Sequence, residues 1–404
     1  MGCADRWSRL TSAMRDEQMR WTAETWDTCA ELRDECVDVL AITVWALLGS
    51  RNWNSLLTLD TNHFECGTFD PRGPTIRPTA MAAMLTGLVY GTLDRHPVLN
   101  NLGWWHGDAR LTKAALPRTG RVRSAAKLPV RSAARPILIA GASGTLGRAF
   151  ASACRARNLD FVLTDRSAMN LEDERTIAAA MVRHRPWAVI NAAGWVRVDE
   201  AEDDPDGCYR ANTGGAIALS RLSADAGAQY IGFSSDLVFD GSKNSAYDEN
   251  DAPAPLNVYG HSKARADSEI LGLTVRTAAF FSPWDEHNFA VAVRRALTAG
   301  QRFAAAADHS ISPTYVPDLV DAVLDLAIDN VDGVWHLTNG SEISWAEFAC
   351  RIARSCGLDE GLIDTVEGRT LGWTAKRPAR AGLVTLRGSL LPPLDNAIAR
   401  FASA

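Results

Sequence analysis

The chain has 404 residues, of which 47% are apolar, so it is long enough for two domains with separate cores. Its net charge of −6 lacks the basic surplus that binding to a phosphate backbone requires, which argues against a nucleic-acid partner. No apolar stretch is long enough for a membrane span, no signal peptide is recognisable, and eight cysteines are scattered without metal-ligand spacing. These features predict a cytoplasmic protein with reduced thiols, no membrane contact and no metal site.

Residues 1–110 form a tryptophan-rich first segment. The stretch "VDVLAITVWALLGSRNWNSLLT" predicts a strand that runs into a loop, and "PTAMAAML" predicts a helix after a turn-rich connection. The tryptophans are typical of core packing, with a sugar-stacking surface as the alternative. Through "WALLGSRNW", Trp45 to Trp53, residues 15–90 resemble the C-terminal end of a family 1 glycoside hydrolase. The resemblance implies a fragment of a (β/α)8 barrel, which cannot close from its last one or two units.

The carboxylates that a retaining glycosidase needs have no counterpart in this segment. Asn52 stands where the family has its sugar-binding Glu, and the strands that carry the nucleophile and the acid/base would precede residue 1. We therefore expect residues 1–110 to have no glycosidase activity. Residues 111–135 follow with seven Lys or Arg, two prolines and no acidic or aromatic residue, which predicts a basic, flexible linker.

From residue 136 onward, short apolar runs alternate with stretches of helical periodicity. The runs are "PILIAG", "DFVLTD", "WAVINAAG", "QYIGFSS", "LTVRT" and "VWHLTN". Repeated βα units of this kind predict an α/β fold of the Rossmann type, with a doubly wound parallel sheet covered by helices on both faces. We expect a dinucleotide-binding domain at 136–278 and a smaller α/β domain, mainly for substrate, at 279–404. In the latter, Ser344 and Glu347 form a capping box ahead of a helix.

A glycine-rich turn follows the first of these strands, in "ILIAGASGTLGRAF". Gly141, Gly144 and Gly147 are spaced as GxxGxxG, with Thr145 and Leu146 between the last two. Glycine is needed where backbone approaches a pyrophosphate closely, and the N-terminus of the following helix offers unpaired N–H groups to the anion. The alternative is a tight strand-to-helix turn without a ligand.

Two further features favour a dinucleotide site. Asp165 ends the second strand, where an acid is expected to bind the adenosine ribose hydroxyls. The third strand ends in small residues, Ala192, Ala193 and Gly194, which leave room for the cofactor. Asp165 favours NADH because a carboxylate repels a 2′-phosphate, whereas the adjacent Arg166 would accommodate one. The sequence leaves the choice between NADH and NADPH open.

The candidate catalytic residues come from "YIGFSSDLVFDG" and "VYGHSK". Ser235 lies at the C-terminal end of the fourth strand, where open α/β sheets bind ligands. Tyr259 and Lys263 are four residues apart, so on a helix they project from one face. We expect the ammonium to lower the pKa of the phenol and to suit it to proton transfer. Ser235 would hold the carbonyl oxygen of the substrate.

Residues 136–390 resemble the extended short-chain dehydrogenase/reductases, and among them the dTDP-4-dehydrorhamnose reductase family. The matching motifs are "GASGTLG", "NAAGWVRVDEAE", "SSDLVFDG", "PLNVYGHSK", "SPTYVPDL" and "AKRP". The resemblance implies reduction of the 4-keto group of a dTDP-4-keto-6-deoxyhexose by NADH or NADPH, as in dTDP-L-rhamnose biosynthesis. Some members of the family use Mg²⁺ at a contact between subunits, so the resemblance also implies Mg²⁺ and a homodimer as candidates.

The resemblance assigns a role to each matching position. Ser235 takes the place of the family's catalytic Thr, Tyr259 is the proton donor, and Lys263 binds the nicotinamide ribose. Further cofactor contacts fall on Thr145, Leu146, Arg166 and Asn170, and substrate contacts on Ser235, Asp236, Trp284, Asn288 and Arg377. The family has Gln at Thr145, Asp at Asn170 and Glu at Asp267, and these departures leave the reaction intact but put the identity of the sugar in doubt.

Two other functions are compatible with the same resemblance. A regulatory subunit of methionine adenosyltransferase resembles this reductase family and has a binding role, but the presence of Ser235, Tyr259 and Lys263 favours catalysis. A sugar-nucleotide epimerase shares that set of residues. A dehydratase would show an acid pair after the serine, which Asp236 and Leu237 do not provide.

Overall fold

The structure is a computed structural model that divides into two compact units. It describes residues 14–55, 58–59, 63–92, 94–106 and 135–404. The first unit comprises Met1–Pro71, Ile76–Ile137 and Cys154–Phe161, and the second comprises Arg72–Thr75, Leu138–Ala153 and Val162–Ala404. The predicted linker falls on residues 111–134, outside the described ranges, apart from Arg135.

Helices and strands alternate through most of the described chain. The α-helices are α1 (Arg15–Asp34), α2 (Ala80–Tyr90), α3 (Thr145–Ala156), α4 (Glu174–His184), α5 (Glu200–Asp203), α6 (Pro205–Tyr209), α7 (Gly215–Asp225), α8 (Val258–Glu269), α9 (Phe289–Thr298), α10 (Val316–Ile328), α11 (Trp345–Ser355) and α12 (Leu394–Ala402). The strands are β1 (Ser50–Arg51), β2 (Phe64–Glu65), β3 (Phe69–Asp70), β4 (Arg77–Pro78), β5 (Ile137–Ala140), β6 (Phe161–Thr164), β7 (Ala188–Asn191), β8 (Gln229–Ser235), β9 (Leu273–Thr277), β10 (Phe280–Phe281), β11 (Phe303–Ala306), β12 (Ser310–Ile311), β13 (Thr314–Tyr315), β14 (Gly333–His336), β15 (Ile343–Ser344) and β16 (Ile363–Val366).

The first unit contains α1, α2 and two short antiparallel strand pairs, β1–β2 and β3–β4. The helix predicted from "PTAMAAML" is confirmed as α2. The strand predicted at the start of the stretch 37–58, ahead of its loop, is wrong, because residues 37–49 lie outside any helix or strand. Their apolar side chains stay in solvent, with Leu40 88% and Trp45 74% exposed. An apolar run becomes a strand only where a neighbouring strand pairs with its backbone groups.

A buried ionic group stabilises the first unit. Asp16 accepts hydrogen bonds from Arg157, with Nη2 to Oδ1 at 2.6 Å, and from Arg20, with Nη1 to Oδ2 at 2.9 Å. All three side chains are almost fully buried. Arg20 Nη1 also donates to the Arg157 carbonyl at 3.0 Å. Because loss of one partner leaves a buried charge unpaired, removal of Asp16 should destabilise this unit strongly.

The second unit is built on a six-stranded sheet of order β14-β9-β8-β7-β5-β6. Strands β7, β8, β9 and β14 pair in parallel, and β5, β7 and β9 are buried along their whole length. All six predicted apolar runs are strands of this sheet, so the predicted Rossmann-type α/β fold is confirmed. The order reverses at β5, which lies between β6 and β7. In open α/β sheets, ligands bind at the carboxyl ends of the strands at such a reversal.

The C-terminal part of the second unit has its own apolar cluster, in which Phe281, Phe348 and Phe401 are fully buried. Helices α9, α11 and α12 supply much of this cluster. The predicted cap of α11 is confirmed, since Ser344 Oγ accepts the Glu347 N–H at 3.1 Å. Strand β14 returns to the main sheet, where it pairs with β9.

Candidate active site

The glycine-rich turn lies between β5 and α3, at the reversal of strand order. Gly141 has φ of +97°, and a Cβ atom there would lie 2.7 Å from the Ala192 carbonyl oxygen. A Cβ atom on Gly147 would lie 2.0 Å from the Gly141 carbonyl oxygen. Only glycine fits at these two positions. The turn and the first N–H groups of α3, which begins at Thr145 with Leu146 buried behind it, therefore form a cradle that fits a pyrophosphate.

Asp165 and Arg166 follow β6, at the same edge of the sheet. Asp165 Oδ1 accepts hydrogen bonds from the Ser167 hydroxyl at 2.6 Å and the Ser167 N–H at 2.9 Å. The hydroxyl bond is the main cause of the lowered pKa of this carboxylate. Arg166 Nη2 donates a hydrogen bond to Glu172 Oε1 at 2.5 Å, and Asn170 Oδ1 accepts one from the Glu172 N–H at 3.1 Å. Asp165 is thus oriented as an anion, while Arg166 already has an acidic partner.

Ala192, Ala193 and Gly194 follow β7 and lie opposite the glycine-rich turn. The loop is fixed by Asn212, whose Oδ1 accepts the Trp195 N–H at 2.8 Å and whose Nδ2 donates to the Trp195 carbonyl at 3.1 Å. That these small side chains leave room for a cofactor stays a prediction.

Ser235 is the last residue of β8 and Asp236 follows it; each is 7% exposed. Ser235 Oγ donates to Asp236 Oδ1 at 2.9 Å and accepts the Leu237 N–H at 3.1 Å, so its rotamer is fixed. Burial raises the pKa of Asp236 to about 6, against the opposing effect of the Ser235 hydrogen bond. The carboxylate of Asp236 thus holds the serine. The substrate contact that the resemblance implies for Asp236 stays a prediction.

Tyr259 and Lys263 lie on one face of α8, as predicted, with Lys263 Nζ 5.9 Å from the centre of the tyrosine ring. The start of this helix is fixed from two sides. Asn257 Oδ1 accepts the Gly260 N–H at 2.7 Å, and Glu202 Oε1 accepts the Val258 N–H at 2.8 Å. These caps determine where Tyr259 enters the site.

The pKa of Tyr259 is raised, not lowered, so that prediction is wrong. Burial of the phenol is the largest cause, and the Asp236 carboxylate adds to it by repulsion, while the nearby Ser235 hydroxyl acts in the opposite direction. Burial disfavours the charged phenolate and has the largest effect on this group. The tyrosine is therefore held in the protonated form, which is the form that donates a proton to a carbonyl.

Lys263 lies in a setting that sequence reasoning did not anticipate. Its Nζ donates to the Phe233 carbonyl at 3.1 Å. Asp267, four residues further along α8, accepts hydrogen bonds from Ser234 Oγ and Arg276 Nε, both at 2.9 Å. Burial lowers the pKa of Lys263, and the charge of Asp267 opposes that effect. The four-residue spacing of Lys263 and Asp267 is the sequence feature from which their proximity could have been predicted.

Three residues predicted to contact the substrate, Trp284, Asn288 and Arg377, lie in the C-terminal part of the second unit. Trp284 is 45% exposed, as a stacking residue requires. Asn288 is buried, donates from Nδ2 to the Ser282 and Asp285 carbonyls at 2.8 and 2.7 Å, and caps α9 by accepting the Val291 N–H. Its amide is therefore engaged within its own loop.

Arg377 is held by Asp199, with Nη1 to Oδ1 at 2.9 Å and Nη2 to Oδ2 at 2.7 Å. The hydrogen bonds from Arg377 are the main cause that lowers the pKa of Asp199 to about 2. The guanidinium carbon lies 4.7 Å from the centre of the Trp373 ring. Cation and ring together form a rigid, partly exposed surface.

A contact outside the sequence predictions joins the glycine-rich turn to the loop before α9. Thr145 Oγ1 donates to Asp285 Oδ2 at 2.6 Å, and Asp285 is 8% exposed. One hydrogen bond thus connects the first residue of α3 with the loop that carries Asp285.

Within the described ranges, no group of three or more His, Cys, Asp or Glu side chains could hold a metal ion. Nor is any helix in that part of the chain long and apolar enough to cross a membrane.

A parallel sheet with a glycine cradle at its reversal, an acid at the end of the second strand and a Ser–Tyr–Lys group beside them define an NAD(P)-dependent oxidoreductase. Comparison with known families makes the assignment specific. Residues 135–390 match the RmlD substrate binding domain, and the chain belongs to that family.

Similar proteins agree with this assignment. A dTDP-4-dehydrorhamnose reductase of Mycobacterium tuberculosis is 32% identical over 281 residues, which are 66% of this chain and 91% of the relative. Spore coat polysaccharide biosynthesis protein SpsK of Bacillus subtilis is 30% identical over 248 residues, 60% of this chain and 87% of the relative. The structure of a dTDP-4-dehydrorhamnose reductase from Bacillus anthracis in complex with NADP is 26% identical, with a TM-score of 0.62 over 66% of this chain and 98% of that one. The resemblance of residues 15–90 to a glycoside hydrolase stays a prediction.

Proposed function

We propose that the protein reduces the 4-keto group of a dTDP-4-keto-6-deoxy sugar with NADPH or NADH, as a dTDP-4-dehydrorhamnose reductase does. The observation that carries the proposal is the group formed by Ser235, Tyr259 and Lys263 at the carboxyl ends of the strands, next to a glycine cradle that fits a dinucleotide. The names of the relatives support the same reaction.

When bound, the reduced nicotinamide supplies the hydride. In our proposal, Ser235 donates a hydrogen bond to the carbonyl oxygen of the sugar, after exchange of its present bond to Asp236. Tyr259 then donates its proton to that oxygen as negative charge develops there. Its raised pKa keeps the proton available until hydride arrives. Lys263 holds the nicotinamide ribose, and the first turn of α3 holds the pyrophosphate.

On the substrate side, Trp284 is placed to stack on the sugar or the base, because its ring is partly exposed. Arg377 carries the positive charge expected to meet the diphosphate, and Asp199 fixes its orientation. We propose Arg377 and Trp284 as the main substrate contacts. Asn288 supports them indirectly, since it shapes the loop that carries Trp284.

The test is to incubate the full chain with a dTDP-4-keto-6-deoxyhexose and NADH or NADPH and to follow the absorbance of the reduced cofactor. The Tyr259→Phe variant is the control, and we expect its rate to be about 10² to 10⁴ times lower. If the wild-type protein oxidises neither cofactor faster than this variant, the regulatory-subunit alternative gains support. If the product retains its keto group with an inverted neighbouring centre, the epimerase alternative is correct.

The assembly and the compartment are proposals as well. We propose a homodimer, to be checked by analytical ultracentrifugation of the full chain. We propose that it works in the cytoplasm, because the cysteines of the described ranges are free thiols.

A further inference from the structure

One buried carboxylate of the site, Asp267, has no part in the mechanism proposed above. Its side chain is 5% exposed, and its Oδ2 accepts hydrogen bonds from Ser234 Oγ and Arg276 Nε. A carboxylate held from two sides has a fixed position, so its charge acts on its neighbours from one place. Asp267 is therefore suited to act on another charged group nearby.

Lys263 is that group. It precedes Asp267 by four residues on α8, so the two side chains leave the helix on the same face. Both line an enclosed cavity of about 10 Å³, together with Asn191 and Tyr230. This is about the room that one water molecule needs, and the polar walls are of the kind that hold one. Ammonium and carboxylate thus face the same small polar space.

The balance of charge around this space depends on Asp267. Lys263 and Arg276 are two cations, and the side chain of Arg276 is 5% exposed. Without Asp267, the two positive charges would share a buried region that has lost the carboxylate bound to Arg276. The other titratable or charged groups that face this cluster from the elements around it are Cys208, Tyr230, Asp236, Tyr259 and, behind Arg276, His336. The lysine would then be the group most easily neutralised, since an arginine stays protonated.

We infer that Asp267 is a positioning residue for Lys263, and that its buried carboxylate keeps the ammonium charged and oriented for the nicotinamide ribose. The inference rests on the proposed function, because Lys263 has this task only in a dinucleotide-dependent enzyme. A charged ammonium offers three hydrogen-bond donors, of which one is used by Phe233. The others are available to the ribose only while the lysine keeps its proton.

The test measures binding of NADH, without any sugar nucleotide, by fluorescence titration from about pH 6 to about pH 9. We expect the dissociation constant of the wild-type protein to stay constant over most of this range. NADH affinity should fall at alkaline pH, where Lys263 loses its proton. In Asp267→Asn, which lacks the carboxylate, the midpoint of this fall should lie about 1 pH unit or more lower than in the wild type. That variant should bind like the wild type near pH 6 and about tenfold more weakly near pH 9. Asp267→Glu keeps the charge and should follow the wild-type curve.

Ser234→Ala is the matched control, since it removes a hydrogen bond to Asp267 and leaves the charge in place. Its curve should keep the wild-type midpoint, whatever its absolute affinity. Equal weakening of Asp267→Asn at every pH would mean a structural role only and would overturn the inference. Should that variant not fold, a wild-type loss of NADH affinity between about pH 6 and about pH 8 would overturn it instead. A wild-type protein that binds neither NADH nor NADPH would contradict the proposed function itself, which distinguishes the two failures.

Discussion

Replacement of Asp236 by Asn should stabilise the protein at neutral pH, although it removes a charged residue from the active site. The carboxylate is 7% exposed and has a pKa of about 6, against an ordinary value of 3.8. The difference is about 2 pH units, so ionisation of Asp236 in the folded protein costs about 3 kcal/mol. Asn keeps an acceptor for Ser235 and avoids that cost.

The direction of the pH dependence follows from the pKa of Asp236, which is higher in the folded chain than in the unfolded chain. Below about pH 4, Asp236 is protonated in both the folded and the unfolded chain, and its ionisation has no effect on stability. As the pH rises, the unfolded chain releases the proton first, which favours unfolding until the pH exceeds about 6. The stability of Asp236→Asn relative to the wild type should therefore increase by about 3 kcal/mol between about pH 4 and about pH 8.

The assay is urea-induced unfolding of both proteins at a series of pH values. Asp240→Asn is the matched control, because the Ser242 N–H at 2.9 Å, the largest cause, and the Tyr247 hydroxyl at 2.9 Å lower the pKa of Asp240. Removal of that carboxylate should destabilise the protein more at pH 8 than at pH 4, the opposite direction. A difference between Asp236→Asn and the wild type that does not change with pH would refute the reasoning.

Three more predictions concern the cofactor site and the first unit. Asp165→Ser should shift the ratio of kcat/KM values toward NADPH, because the carboxylate that repels a 2′-phosphate is gone; an unchanged ratio would contradict that role. Thr145→Val should lower the free energy of unfolding by about 2 kcal/mol, since the buried Asp285 loses a donor, whereas Thr145→Ser should not. Deletion of residues 1–134 should leave kcat unchanged but lower the unfolding temperature, because Arg157 loses Asp16; an inactive yet folded truncation would show that the first unit takes part in catalysis.

The sequence was sufficient to predict the main sheet and the position of Tyr259 and Lys263 on one helix. The catalytic roles of Ser235, Tyr259 and Lys263 stay a prediction. Each strand of that sheet is a short apolar run bounded by turn residues, so periodicity alone located it. The glycine spacing and the i, i+4 relation of Tyr259 and Lys263 are local patterns, and local patterns are visible in a sequence. The cap of α8 by Asn257 is of the same kind.

The surroundings of the site could not be predicted in the same way. The partners of Asp267 come from β8 and β9, and the carboxylate that holds Arg377 lies 178 residues earlier in the chain. Whether the pKa of Tyr259 is raised or lowered depends on burial of the phenol, which only the packed structure reveals. The strand expected at the start of the stretch 37–58 is wrong for a related reason, because the strands that could pair with it are a property of the fold and not of the segment.

The central claim is that Tyr259 donates the proton in an NAD(P)H-dependent reduction of a nucleotide-linked 4-keto sugar. The most direct test compares wild-type protein and Tyr259→Phe in single-turnover reactions with a dTDP-4-keto-6-deoxyhexose and saturating reduced cofactor. We predict oxidation of the cofactor coupled to formation of the 4-hydroxy sugar in the wild type, with a rate about 10² to 10⁴ times lower in the variant and unchanged cofactor binding. Equal rates in the two proteins, or no sugar alcohol from the wild type, would contradict the account.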